Sequence, residues 1–382
     1  MRVQTEIPEL AEHLHAIEST LRANDGFVAD DFTVREHSGQ FSAAIAEHIG
    51  ESGRLLVSYP PELRVPMWHV QWADSKDSME PVGGLDGFTV AQRTLFEHWL
   101  PLVNATRRLS HVRTSVPRFA VDSWPLRHHL ADAGYPVMRT SPAELDPRET
   151  VIGWHSSGGS GGAQPEGEQN TGPRWQLIPL KHLVNHDPTG ANQDPVPGRT
   201  AVATSASSSE SGTFENYGDL DAMQLLMGFG YVDSRAELVH SVPVVVESPE
   251  LGKVAVRWRA PRYGRDVDGD AAVAPVSRLA RDVPSVTDED GQLTLRHLTM
   301  RPDNRESVAR LLAMLLQSRA GMGSEASRAA AERLLDDLLA SNLDYYRRLD
   351  ELVAATAGNA GILAMVAEVS LRQQERLERM WG

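Results

Sequence analysis

The final segment of the chain, from Arg301 to Gly382, constrains the fold most strongly, because apolar side chains recur there at helical spacing. The apolar positions are Val308, Leu311, Leu312 and Leu315, then Leu334, Leu335, Leu338, Leu339, Tyr346, Leu349 and Val353, and finally Ile362, Val366, Val369, Leu377 and Met380. Such stripes indicate helices that bury one face. We therefore predict a bundle of three helices, the first opened by a capping box of Asp303 and Glu306 and the second capped by Ser324.

Shorter predicted helices and strands precede this bundle. The pattern predicts helices over 8–23, 89–108 and 123–133, the second of them kinked or divided at Pro101. It predicts strands at 32–34, 55–57, 244–247 and 254–258, of which the last two form a hairpin. The Gly- and Ser-rich stretch 156–173 is interpreted as a flexible linker, since no Lys follows it as in a phosphate-binding loop. Helices and strands together indicate an α+β protein.

Composition excludes several classes of function. The 382 residues suggest two or three domains, and 37 basic against 52 acidic side chains give a net charge of -15, which argues against nucleic acid as a partner. Without cysteine there are no disulfides, thiolate zinc sites or Cys nucleophile, and we expect no bound metal. The N-terminal residues lack the pattern of a signal peptide and no apolar run reaches 18 residues, so we expect a cytoplasmic protein without membrane contact.

Two short stretches carry the signal for function. Residues 177–186 read Leu-Ile-Pro-Leu-Lys-His-Leu-Val-Asn-His, and residues 214–218 read Phe-Glu-Asn-Tyr-Gly. A Leu-Leu pair at 225–226 and Phe-Gly-Tyr at 229–231 follow the second stretch. Asn-His could be a turn after a short strand, and Tyr217 alone could be a half-buried core residue. On these residues alone, without a match of the whole series to a known family, the turn is the favoured interpretation of Asn-His.

This series resembles the SET-domain methyltransferases, in the branch of Rubisco large-subunit and actin-histidine methyltransferases. That branch has Pro-Leu-x-Asp-x-x-Asn-His, then Tyr-Gly, a Leu-Leu pair and Tyr-Gly-Phe. The resemblance implies a mostly β SET core with an inserted helical segment and a C-terminal helical, substrate-binding-like domain. The implied divisions are 1–65 (N-terminal helix and first SET half), 66–173 (insertion with the linker), 174–235 (second SET half) and 236–382 (hairpin, then helical bundle).

The resemblance also implies a cofactor, S-adenosylmethionine, and the residues that bind it. Asn185 and His186 would hold its amino-acid end and adenine, and Tyr217 would lie beside the sulfonium as a catalytic residue. Further cofactor contacts carried over by position are the aromatic pair Phe229 and Tyr231, the glycine Gly39, where the backbone can approach closely, and Arg174 as a contact for the cofactor carboxylate.

Some positions depart from the branch. His182 replaces the Asp of its first motif, and it is interpreted either as a catalytic base on the substrate side or as a surface histidine. Ala222 stands where the branch has Asn, and Phe-Gly-Tyr replaces Tyr-Gly-Phe. We therefore keep three hypotheses: an N-methyltransferase acting on Lys or His of a protein or peptide, a SET-fold enzyme recruited to a small molecule or peptide natural product, and an inactive interaction scaffold.

Overall fold

A computed structural model describes the chain as two compact units. It describes residues 1–37, 40–45, 53–66, 70–73, 78–83, 85–105, 108–148, 150–151, 156–158, 175–192, 199–204, 213–216, 220–257, 283–289 and 292–382. Unit one comprises Met1–Val112 with Asp146–Asp219, and unit two comprises Arg113–Leu145 with Leu220–Gly382. The protein is α+β, with several small sheets and a set of C-terminal helices.

Two long helices pack against each other in unit one. Helix α1 (Pro8–Ala23) has the predicted bounds, and α2 (Val90–Ala105) lies within the predicted segment. Pro101 lies inside α2, so the helix is not divided there. An interior proline costs about 3 kcal/mol, and the fully buried Trp99 beside it shows the packing that offsets this cost.

The strands of unit one are short and form several small sheets. Their bounds are β1 Arg2–Gln4, β2 Phe27–Val28, β3 Phe32–His37, β4 Gln40–Ile45, β5 Leu55–Tyr59, β6 Val65–Pro66, β7 Val70–Trp72, β8 Met79–Pro81, β9 Ser156–Gly158, β10 Trp175–Leu177, β11 Asn185–Asn192, β12 Thr200–Ala203 and β13 Thr213–Asn216. The sheet orders are β1-β3-β4, β2-β5-β12, β6-β10-β9, β7-β8 and β11-β13. The strands predicted at 32–34 and 55–57 are confirmed as β3 and β5.

The start of the Gly- and Ser-rich stretch is a strand and not a linker. Strand β9 pairs antiparallel with β10, placing Ser156 opposite Leu177 and Gly158 opposite Trp175. Two segments far apart in sequence thus satisfy each other's backbone hydrogen bonds, which local composition does not reveal. The remainder of the stretch, 159–173, lies outside the described residues.

Unit two contains most of the helices. Helix α3 (Arg108–Ser115) contains the boundary between the two units, which lies after Val112. The helices of unit two are α4 Pro117–Ala120, α5 Trp124–Asp132, α6 Ala222–Phe229, α7 Arg305–Ala320, α8 Ser324–Ala354 and α9 Ala360–Trp381. Helix α5 confirms the prediction over 123–133, and α7 to α9 confirm the three predicted C-terminal helices. None of the helices among the described residues is both long and apolar enough to cross a lipid bilayer.

A four-stranded sheet packs with these helices in one apolar core. Its strands are β15 Val244–Ser248, β16 Gly252–Arg257, β17 Ser285–Glu289 and β18 Gln292–Arg296, in the order β15-β16-β18-β17. Strands β15 and β16 form the predicted hairpin, while β16 and β18 run parallel. A separate pair, β14 (Val239–His240) and β19 (Thr299–Met300), is antiparallel. Core side chains come from both the sheet and the helices, among them Val254, Leu293, Leu312, Leu338 and Val366.

The predicted helix caps were wrong at both positions. The residue that precedes α7 is Asn304, not Asp303, and its side chain instead accepts from Arg301 N (2.9 Å) and donates to Thr299 O (2.7 Å). Ser324 is the first residue of α8, and Gly323 occupies the cap position. Cap patterns are found one residue off because Asp, Asn, Ser and Gly all favour this position.

We expect Asn342→Ala to destabilise unit two by about 1–3 kcal/mol, because it would strip a buried amide N–H of its partner. Asn342 on α8 is fully buried, accepts from Val242 N (2.9 Å) and donates to Ser241 Oγ (3.0 Å) and Leu338 O (2.8 Å). Chemical denaturation measures the loss. The neighbouring Ser341→Ala is the control, since its exposed hydroxyl bonds only within the helix, to Asp337 O. Equal stabilities for the two variants would contradict this assignment.

Candidate functional site

The first predicted motif lies at a sharp change of backbone direction in unit one. Strand β10 ends at Leu177, a single 3₁₀ turn covers Lys181–Leu183, and β11 begins at Asn185. Between them, the buried Leu180 has φ of +68°, a left-handed conformation that is unusual for a bulky residue. Such strain persists only where the surroundings fix the backbone, and it is often found at functional sites.

The two motifs are joined through their strands. Strand β11, which starts with Asn185 and His186, pairs in parallel with β13, which ends at Asn216 immediately before Tyr217. Asn185 is opposite Thr213 and Asn192 is opposite Asn216, with irregular register between these points. The ladder is therefore interrupted within the Asn-His motif, and such bulges are common next to functional sites.

The aromatic part of the predicted site lies at the end of α6 in unit two. Phe229 is the last residue of that helix, Gly230 closes it with φ of +73°, and Tyr231 follows. The Phe229 and Tyr231 rings have centroids 6.3 Å apart and are tilted by 49°. This is an ordinary aromatic pair, and partly exposed faces of this kind can stack on a base or attract a cation.

A buried carboxylate fixes the start of α6. Asp221 accepts from Gln224 N (2.8 Å), and the Gln224 amide accepts from Asp221 N (2.9 Å), which completes a capping box. The second carboxylate oxygen of Asp221 accepts a hydrogen bond from His240 N (3.0 Å), which links β14 to the helix. The signal for this cap in the sequence is the pattern Asp-x-x-Gln before an apolar run, which was not among the predicted motifs.

Polar side chains surround a small recess beside Asp221. Asp221, His240, Ser241, Tyr345 and Tyr346 contribute to its lining. The recess has a volume of about 10 Å³, which is about the space that one water molecule needs. Burial raises the pKa of the Tyr345 and Tyr346 hydroxyls, so both are neutral donors at any physiological pH. The recess can hold a bridging water but no organic ligand.

The predicted site residues are distributed as follows. Gly39, Arg174 and Tyr217 lie outside the described residues, and the structure describes His182, Asn185 and His186 through their backbone. Asn185 and His186 belong to unit one, whereas Phe229 and Tyr231 belong to unit two. The structure brings together the strands of the two motifs within unit one and the two aromatic rings within unit two.

Comparison with protein-family models finds no match, and no curated protein matches the chain. Among the described residues, no group of three or more His, Asp or Glu side chains is arranged to hold a metal ion.

We expect Gly230→Ala to cost clearly more stability than Gly252→Ala. Both glycines have φ above +70°, so alanine meets the same conformational penalty of about 1–2 kcal/mol at each. A Cβ at Gly230 would also lie 2.9 Å from the backbone of Ser115, whereas at Gly252 it would meet nothing within 4 Å. Denaturant unfolding of the two variants isolates this close packing. Equal losses would show that α6 does not end against Ser115.

Stability should fall as the pH drops below about 6.5, in part through His129. This ring stacks on Tyr345 (centroids 4.1 Å apart) and its Nε2 lies 2.9 Å from Tyr345 O. Burial lowers the pKa of His129 in the folded chain despite that hydrogen bond. As the pH falls, the unfolded chain therefore takes up a proton at His129 at a higher pH than the folded chain does. The free energy of unfolding decreases once the pH falls through the pKa that His129 has in the unfolded chain.

The variant His129→Phe keeps a ring on Tyr345 but cannot titrate. We expect it to flatten the dependence of unfolding free energy on pH between 7.5 and 5, by at most about 1.4 kcal/mol per pH unit for one proton. His128→Phe, at the exposed neighbouring position, is the control for the change from histidine to phenylalanine itself. Denaturation at a series of pH values checks this, and an unchanged slope in His129→Phe would contradict it.

Proposed function

We propose that this protein is an S-adenosylmethionine-dependent N-methyltransferase with a SET-like core, which acts on a Lys or His side chain of a protein or peptide. The observation that carries the proposal is the parallel pairing of β11 with β13. The Asn-His motif opens one strand and the Tyr-Gly motif directly follows the other. Two motifs that are separated in sequence would have to meet in this way to form one cofactor site.

A second observation that supports the proposal is the way in which strands pair in unit one. A SET core built from two halves around an insertion requires the halves to pair, and β5 from the first half pairs antiparallel with β12 from the second. Arg54 strengthens this connection, since its backbone N–H donates to Thr204 Oγ1 (3.1 Å). Within the first half, its side chain donates to Asp31 Oδ2 (2.8 Å). Asp31 and Thr204 are both buried.

The residue types fit the cofactor proposed. The irregular part of β11 contains Asn185 and His186, which we propose bind the polar amino-acid end. An aromatic pair such as Phe229 and Tyr231 suits an adenine ring or a cationic sulfonium. S-adenosylmethionine, when bound, would supply a methyl group whose bond to sulfur breaks as the bond to the acceptor nitrogen forms.

The residues of the chain would then align and deprotonate the acceptor. Tyr217 would orient the incoming nitrogen, and alignment supplies most of the rate in such an in-line displacement. The nitrogen must lose its proton, which costs more for a Lys amine with a reference pKa of about 10.4 than for an imidazole near 6.5. His182 is the residue proposed to take that proton.

We expect Asn185→Ala to weaken binding of S-adenosylmethionine about tenfold or more. A hydrogen bond to a charged group contributes about 1.5–3 kcal/mol, which corresponds to that change in dissociation constant. Asn192→Ala is the matched control, because it removes the same side chain from the other end of β11. Isothermal titration calorimetry on the full chain measures both.

The proposal fails if the wild-type chain does not bind S-adenosylmethionine at millimolar concentration, in which case the scaffold hypothesis is favoured. It also loses its cofactor assignment if the two asparagine variants weaken binding equally. Tyr217→Phe separates binding from chemistry: affinity should persist while methyl transfer to peptide acceptors, followed by mass spectrometry, decreases. Unchanged transfer would remove Tyr217 from the mechanism.

A further inference from the structure

Two histidines on neighbouring helices of unit one meet at hydrogen-bond distance. His13 lies on α1 and His98 on α2, and their Nδ1 atoms are 2.9 Å apart. The ring centroids are 5.2 Å apart and the planes are tilted by 53°. This centroid distance is close to the largest that the nitrogen distance allows, so the rings meet almost end to end.

The end-to-end contact places two ligand-type nitrogen atoms around one point. Between neutral imidazoles, one Nδ1 carries the hydrogen and the other offers its lone pair. A metal ion can replace such a shared hydrogen, because imidazole nitrogen is the commonest protein ligand for transition metals. Both side chains are half-buried, so an ion can reach them from solvent.

We propose that His13 and His98 form a two-histidine site for a divalent transition metal ion of the zinc class, with water completing the coordination. Tetrahedral zinc at about 2.0–2.1 Å from each nitrogen requires the nitrogens to lie about 3.3–3.4 Å apart. A tetrahedral ion lies off the line that joins the two nitrogens, so each ring must turn by about 35° from the end-to-end arrangement for its lone pair to point at the ion. Such a turn about the side-chain torsions can also open the nitrogen distance by the few tenths of an ångström needed.

The helices that carry the pair hold it in place. Leu14 and Ile17 on α1 and Leu95 and Trp99 on α2 are fully buried, and the two helices pack together. A ligand pair on rigid helices loses little freedom when it binds an ion. Burial and the neighbouring His98 lower the pKa of His13, although the Glu12 carboxylate acts in the opposite direction, and the neutral imidazole is the form that binds a metal ion.

The ligand chemistry predicts which ions bind. Imidazole nitrogen suits Zn²⁺, Cu²⁺ and Ni²⁺, and affinity at such a site rises from Ni²⁺ to Cu²⁺ and falls again at Zn²⁺. Mg²⁺ and Ca²⁺ prefer oxygen ligands and should not compete. An ion bridging α1 and α2 binds only the folded chain and therefore raises its melting temperature.

The test uses the full chain, freed of metal by chelation, and ZnCl₂ as the probe. We expect calorimetry to show a Zn²⁺ site that becomes at least about tenfold weaker in both His13→Asn and His98→Asn. His15→Asn is the matched control, because this exposed histidine on the same helix faces Glu18 (3.5 Å) and should leave the affinity unchanged. The Zn²⁺-induced rise in melting temperature should follow the same pattern.

Two results would overturn the proposal. One is no Zn²⁺ binding by the wild-type chain at millimolar concentration, and the other is binding that persists undiminished in His13→Asn and His98→Asn. Melting curves without metal establish that each variant is folded. Should a substitution prevent folding, NMR of the wild-type histidine side chains decides, since Zn²⁺ bound at Nδ1 changes the nitrogen shifts of His13 and His98 and no change refutes the site.

Discussion

The hydrogen bonds of the buried Asp221 carboxylate are the interaction on which the aromatic part of the candidate site, in unit two, depends. One oxygen caps α6 through Gln224 N, and the other binds His240 N on β14. The carboxylate is almost fully buried, so each of these bonds is charge-assisted and the group would be costly to leave unpaired. Its position sets where α6 begins and thus where its aromatic end, Phe229 with Tyr231, lies in unit two.

The sequence predicted elements best where one helix face is buried by neighbouring helices. Helix α1 has the predicted bounds. Helices α7 to α9 were predicted correctly because apolar residues repeated at helical spacing over several turns are typical of a helix with one buried face. Caps and strand partners were predicted less well. Asn304 acts through the turn that precedes α7 and not as its cap, and β9 exists through its pairing with β10, so neither feature is visible in local sequence.

The residues of the candidate site were predicted from the order of the motifs. Their geometry could not be predicted from the sequence. Nothing in the sequence near Asn185 indicates that Thr213 will lie opposite it, because a parallel pair depends on the path of the chain between the strands. The left-handed Leu180 was equally invisible, since leucine rarely adopts that conformation and carries no signal for it. Both features lie where the motif predicted a function.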